Sequence, residues 1–564
     1  MGEYISTLKN NLSLSLLILL FPNFVLASGT PLEQSIDKKI AQMSVEEKVG
    51  QLFIVGFPQS DITKDLDKFI RTYKPGSFLL FKRNILSLEQ VKKLNADLTR
   101  ISYDIAQLPP LLAIDQEGGS VSRLPLFPSQ PNALALGQTE SPILAQEMGY
   151  QTGLFLREVG FNMNLAPVLD VVDPKTKSFI GVRSFGPDPG VVKEIGVAYS
   201  QGLLRARVIP TAKHFPGTGN LALDPHRVIV ENSSTSEALR ARDIVPYKSY
   251  AELGKPVAIM MSHLLYPGLD PSREPASFSK KIATDLLRGE LKYEGLVITD
   301  DLQMQGSKQL LRPEVAALRA LKAGADIVML SWSFADQGKA FNHVKQAVRS
   351  GEFTEKELAE KLRRILFTKA YANNYKRDPA IPSMIAGSVL TSPHYHQLEE
   401  QIFSQNLQSS LLAGILPEKT EAPVVRKPAA KEVVCTIAPS KEFIASFAKE
   451  RSHREPSRLL TGSFQKAEVE NWIKAKSCDL VLVAITGPKT AQLARSLAPA
   501  IRQKTIIVNL STPRWVPNAK GFFKVVQLSF NHLESGKRIA QNLQKILDEK
   551  SVTHNDQTNN NNWL

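Results

Sequence analysis

The chain has 564 residues, 43% hydrophobic and 22% charged, a composition that excludes whole-chain disorder, collagen-like repeats and coiled coil. Its length predicts two large domains, at about 100–200 residues each with barrels running larger. Lys+Arg exceed Asp+Glu by 14, which favours anionic neighbours, but the excess is spread along the chain, so no nucleic-acid partner is expected.

In chain order, the first feature is Lys9 followed by the apolar run LSLSLLILLFPNFVLA (12–27). The run is short for a hydrocarbon core of about 30 Å, and it ends Val25-Leu26-Ala27. It predicts a signal peptide over residues 1–27, cleaved before Ser28. Export to the periplasm or the extracellular space follows, without stable membrane insertion after cleavage.

Between residues 35 and 375, apolar runs alternate with amphipathic stretches. The expected strands are 51–57, 76–81, 110–117, 161–168, 208–215, 257–263, 296–301 and 327–332. Segments such as 143–159 carry apolar residues at helical spacing. Eight strand–helix units predict a (β/α)8 TIM barrel, with a doubly wound open sheet as the alternative. The polar residues favour the barrel. Asp115, Glu117, Asn164, Lys213, His214, His263, Asp300 and Asp301 all fall at C-terminal strand ends, which in a barrel converge on one mouth.

A proline-bearing linker is expected over 376–397, then a helix at 398–415 opening a smaller α/β domain (398–550) with a mainly parallel sheet. No dinucleotide or NTP loop occurs in it. Cys435 and Cys478 lie in strand-like segments, and either a disulfide or two buried thiols fits them. The end, 551–564, reads as a disordered tail.

Four groups of residues carry chemistry. In AKHFPGTGNLALDPHR (212–227), Asp224 lies two residues before His226, so a carboxylate can orient an imidazole for acid/base work. A solvent-facing loop pair is the plain alternative. The strand LVITDD delivers Asp300 and Asp301 to the mouth, as a nucleophile or metal ligand. No second His or Glu stands at ligand spacing, which disfavours a metal, and the pleat turns only one carboxylate toward a substrate. Asp115 and Arg123 suit a grip on sugar hydroxyls or an ion pair holding their loop. Arg183, in GVRSFGPDPG, comes from a further loop.

Taken together, DQEGG..SR, RSFG, KHFPGxG, DxH, MSH and TDDLxM, in this order and on these strands, resemble glycoside hydrolase family three. The nearest likeness is its bacterial β-N-acetylglucosaminidase (β-hexosaminidase) branch. The resemblance spans the barrel and extends more weakly to an α/β sandwich domain after it. It implies a retaining exo-glycosidase with Asp300 as nucleophile, and His226 as acid/base assisted by Asp224. Asp115, Arg123, Arg183, Lys213 and His214 then bind the terminal N-acetylglucosamine of a glycan, and no metal or cofactor is called for. Two departures stand out: Thr218 where the family usually has His, and Pro225 where it usually has Ser or Thr. Proline fixes φ near −65° and removes an N–H from the loop.

Overall fold

In the computed structural model, the described residues are 30–124, 130–176, 178–223, 229–304, 311–373 and 392–412. In the C-terminal part they are 434–438, 457–459, 466–478, 480–485, 488–502, 505–509, 524–527 and 539. The expected signal peptide and tail lie outside them, as does the linker up to residue 391.

The first strands are β1 (Phe53–Val55), β2 (Ser77–Leu80) and β3 (Leu111–Ile114), followed by a two-stranded ribbon of β4 (Gln116–Gly118) and β5 (Val121–Ser122). Then come β6 (Met163–Asn164), β7 (Ile209–Phe215), β8 (Ala258–Met261), β9 (Leu296–Asp301) and β10 (Ile327–Leu330). Among the described residues, eight of these close a parallel barrel in the order β1-β10-β9-β8-β7-β6-β3-β2. Each lies inside an apolar run named above. The continuous apolar character has a physical cause: barrel strands are buried on both faces, by the packed interior and by the helix ring. Phe53, Ile54, Val55, Leu296, Val297 and Ile298 are accordingly fully buried.

The helices start where short polar side chains can accept main-chain N–H groups. Thr30 caps Pro31–Gln42 and Ser44 caps Val45–Gln51, each in a reciprocal pair with a glutamate three residues on. Ser141 caps Pro142–Glu158, where the proline occupies a first-turn position that needs no N–H. The same reasoning corrects one boundary. The helix expected from 398 begins at Pro393 and runs to Leu412. Pro393 opens this helix, and Ser392 Oγ accepts the Tyr395 N–H at 3.1 Å.

The C-terminal sheet is wholly parallel, built from β11 (Val434–Ala438), β12 (Ser457–Leu459), β13 (Leu480–Ile485), β14 (Thr505–Asn509) and β15 (Lys524–Gln527). Their order is β12-β11-β13-β14-β15. Cys435 on β11 and Cys478 just before β13 are joined in a disulfide, with Cα atoms 5.6 Å apart. The bond closes a loop of sequence separation 43 and restricts the unfolded chain. Reduction is expected to cost this domain about 2–4 kcal/mol. Calorimetry of the full chain with and without reductant checks it, and unchanged transitions would refute the claim. No helix among the described residues is long and apolar enough to cross a membrane.

Candidate active site

Chain β3 turns at Asp115 into the β4–β5 ribbon, and the turn depends on glycine. Gly118 and Gly119 have φ of +94° and +55°, and a Cβ on Gly118 would stand 2.2 Å from the Pro131 carbonyl oxygen. This turn aims two acidic side chains, Asp115 and Glu117, into the mouth. The Arg183 loop is brought up by a second close approach. Gly137, ending the short helix Ala133–Gly137, would put a Cβ 1.7 Å from the Phe185 carbonyl oxygen, so only glycine lets the helix and the RSFG backbone meet.

The charges converge on Glu117. Its carboxylate accepts two hydrogen bonds from Arg183, from Nε at 2.7 Å and from the terminal nitrogen at 2.8 Å. Lys213 Nζ lies 2.7 Å from Glu117 Oε1 and donates to Asp115 Oδ1 at 2.8 Å. Arg123 reaches the other oxygen of Asp115 at 3.6 Å. Burial by itself would raise the Glu117 pKa. The Arg183 guanidinium and Lys213 ammonium outweigh it and hold the carboxylate far below its usual range. For Lys213, burial would favour the neutral amine, but Asp115 and Glu117 outweigh that and push its pKa up. Four residues read from the sequence, Asp115, Arg123, Arg183 and Lys213, thus share one contact network. Glu117, noted only as a strand-end carboxylate, is its centre.

His214 joins a different partner. Its Nδ1 lies 2.7 Å from Asp170 Oδ2, while Asp170 Oδ1 accepts the Thr218 N–H at 2.8 Å. The Asp170 carbonyl accepts the Ser184 hydroxyl at 2.6 Å. Asp170 is fully buried and ties the chain after β6 to the KHFPG and RSFG segments. It was not among the residues singled out from the sequence. Its signal there was slight, one of two carboxylates in an apolar stretch, LAPVLDVVD (165–173).

At the end of β9 the two adjacent carboxyls diverge. Asp301 is buried: Oδ2 accepts the Ser331 hydroxyl and Oδ1 the Gln303 N–H at 3.0 Å. Burial pushes its pKa up to about 6, against the Ser331 hydrogen bond. Asp300 is half-buried at the mouth, and its Oδ1 accepts the Asp301 N–H at 2.8 Å. His263 braces this strand end from β8, with Nε2 3.2 Å from the Asp301 carbonyl oxygen and Nδ1 2.8 Å from Ser277 Oγ. Asp224, Pro225 and His226 lie outside the described residues. The chain leading to and from them is described at Thr218–Leu223 and from Ile229 onward.

Comparison with known proteins places this arrangement. A 29% identical relative, "Beta-hexosaminidase A" of Pseudoalteromonas piscicida, aligns over 64% of this chain but 63% of its own length, so the match spans just under two thirds of that protein. "Beta-hexosaminidase LpqI" of Mycobacterium tuberculosis is 35% identical over 55% of this chain and 79% of its own. Among solved structures, a glycoside hydrolase family 3 beta-N-acetylglucosaminidase from Paenibacillus sp. str. FPU-7 superposes with a TM-score of 0.77. It is 26% identical, covering 90% of this chain and 97% of that one. The model of the glycosyl hydrolase family 3 N terminal domain matches residues 44–368, the barrel and more than half the chain. The chain therefore belongs to glycosyl hydrolase family 3.

Proposed function

We propose that the chain is an exported, retaining exo-β-N-acetylglucosaminidase that removes terminal β-linked N-acetylglucosamine, with peptidoglycan fragments as its substrate class. The observation that carries this reading is the Asp115–Lys213–Glu117–Arg183 network at the same barrel mouth as the β9 end that carries Asp300. Fixed carboxylate and cationic groups of this kind suit a sugar's hydroxyls, since each hydroxyl both donates and accepts. The names of the relatives support the N-acetyl sugar. The Cys435–Cys478 disulfide supports an oxidising, exported location. The net charge of +14 suits glycans with anionic peptide stems.

The chemistry follows from the residue types. A carboxylate oxygen of Asp300 bonds to the anomeric carbon as the glycosidic C–O bond breaks, and protonated His226 gives its proton to the leaving oxygen. Neutral His226 then takes a proton from water, whose oxygen displaces Asp300 and restores the β configuration. Asp224 orients the imidazole and stabilises its charged form. Hydrolysis of a panel of aryl glycosides by the full chain tests the reading. N-acetylglucosaminides should be cleaved in preference to glucosides, with a rate indifferent to phosphate. A phosphate-dependent sugar phosphate would make the protein a phosphorylase, and binding without turnover would make it a glycan-binding protein.

His226→Ala should separate substrates by leaving group. Glycan hydrolysis is expected to fall about 10²–10⁴-fold, the usual contribution of a positioned acid/base. Activated nitrophenyl glycosides should lose much less in the first step, and added azide should restore their second step. Equal losses on both substrate types, without azide rescue, would remove His226 from this role.

A further inference from the structure

Two residues beyond β10, the chain holds an indole out in solvent: Trp332 is 58% exposed. Exposure alone says little, because single apolar side chains are common on protein surfaces. Trp332 is distinguished by how firmly it is held and by where. Its main-chain N–H donates to Gln303 Oε1 at 2.7 Å, tying the turn to the chain just past Asp301. The preceding residue, Ser331, donates its hydroxyl to the Asp301 carboxyl. The ring itself is braced from the end of β2. The Arg83 guanidinium lies 4.3 Å from the Trp332 ring and 4.2 Å from that of Phe81, and the two rings are 5.9 Å apart. Arg83 is in turn fixed by the carbonyls of Phe57 and Ser331, at 3.1 and 2.8 Å.

The register places the turn that carries Trp332 at the same end of the barrel as Asp300 and Asp301. Met329 of β10 pairs with Asp301 of β9. Trp332 stands three residues further on, just past the C-terminal end of β10 at Leu330. A group bound at Asp300 and extending out of the barrel along β10 therefore meets the indole.

We propose that Trp332, braced by Arg83 and Phe81, is a platform for the leaving-group side of the substrate, where the pyranose next to the terminal sugar lays its C–H face on the indole. This rests on the glycosidase reading above. A pyranose with equatorial hydroxyls has an apolar face, and covering the indole with it removes apolar surface from water. Because the ring is already fixed, little freedom is lost on binding. The contact acts only until the leaving sugar departs. It therefore enters kcat/KM for saccharide leaving groups and is absent from the second step.

The test compares N,N′-diacetylchitobiose with methyl N-acetyl-β-glucosaminide as substrates of the full chain. Trp332→Ala should lower the disaccharide-to-methyl ratio of kcat/KM by about fivefold or more, the scale of one aromatic stacking contact, and Trp332→Tyr should restore most of it. A smaller change in the ratio overturns the proposal. A second readout does not need turnover. Trp332 is the tryptophan of the barrel, the others being Trp472, Trp515 and Trp563. In an Asp300→Ala background, indole emission should respond to diacetylchitobiose far more than to N-acetylglucosamine, and Trp332→Phe should abolish that response. If the wild type cleaves neither glycoside, the glycosidase reading fails and emission alone decides. The platform falls with it if diacetylchitobiose leaves the indole emission unchanged.

Discussion

Replacing Asp300 with alanine should abolish turnover of every glycoside, a fall of at least about 10⁴-fold in kcat, as expected when a covalent nucleophile is removed. The argument begins with the pleat. Adjacent residues on a strand face opposite ways, and at the end of β9 Asp301 turns inward to Ser331 and the Gln303 N–H. That leaves Asp300 as the β9 carboxyl at the mouth, with one oxygen fixed by the following N–H at 2.8 Å. Asp301→Asn is the matched comparison. It keeps an acceptor for the Gln303 N–H and should retain measurable activity, because its carboxyl is engaged between β9 and β10. Trapping with a 2-fluoro glycoside and peptide mapping reads the outcome directly. A label on Asp301, or on any residue but Asp300, ends the assignment, as does an Asp300→Ala protein that still turns over.

What could be read in advance, and what could not, follows from where each kind of information is stored. The eight barrel strands were legible because burial on both faces demands an uninterrupted apolar run, which is a local pattern. Strand β12, Ser457–Leu459, was not anticipated. It is three residues, Ser-Arg-Leu, with no apolar run, and it exists because β11 offers an edge to pair with. Pro393 reads locally as a helix breaker, whereas at a first-turn position it is a starter. The site residues divide the same way. Asp115, Lys213 and Asp300 end apolar strands and so announce themselves. Asp170 does not, and the central place of Glu117, visible only as one strand-end carboxylate among several, does not either, since each matters through partners that are distant in the chain: Arg183 is 66 residues from Glu117, and His214 is 44 from Asp170. Only closure of the barrel brings them together. Thr218, where the resemblance leads one to expect His, donates its main-chain N–H to Asp170, a contact that does not depend on the identity of its side chain.

The second large effect is expected at Glu117, which touches no reacting atom in the proposed mechanism. Its carboxylate is buried and shared by Arg183 and Lys213. Removing it leaves two buried cations with Asp115 as the nearest compensation. Breaking a buried ion pair from one side typically costs about 3–5 kcal/mol, because an uncompensated charge remains, so Glu117→Ala should destabilise by that amount. The lost activity should exceed the lost fold. With Glu117 gone, Lys213 keeps Asp115 as its hydrogen-bond partner, Arg183 keeps the fields of Asp115 and Asp170, and the bonds that Lys213 makes to Asp115 compete there with the sugar's hydroxyls. The folded fraction should therefore show a raised KM, and Glu117→Gln, which keeps the volume and an acceptor, should recover stability more than binding. The pH dependence gives the sign. The folded carboxylate stays ionised well below the ordinary glutamate value of about 4.3, while the unfolded chain takes up its proton there. The stabilisation is thus fully present at neutral pH and wanes only as pH falls below about 4.3. Urea midpoints of the wild type and Glu117→Gln should differ by a constant amount from pH 7 to pH 5 and converge in more acid solution. A difference that grows as the pH falls would mean that Glu117 is not held ionised by Arg183 and Lys213.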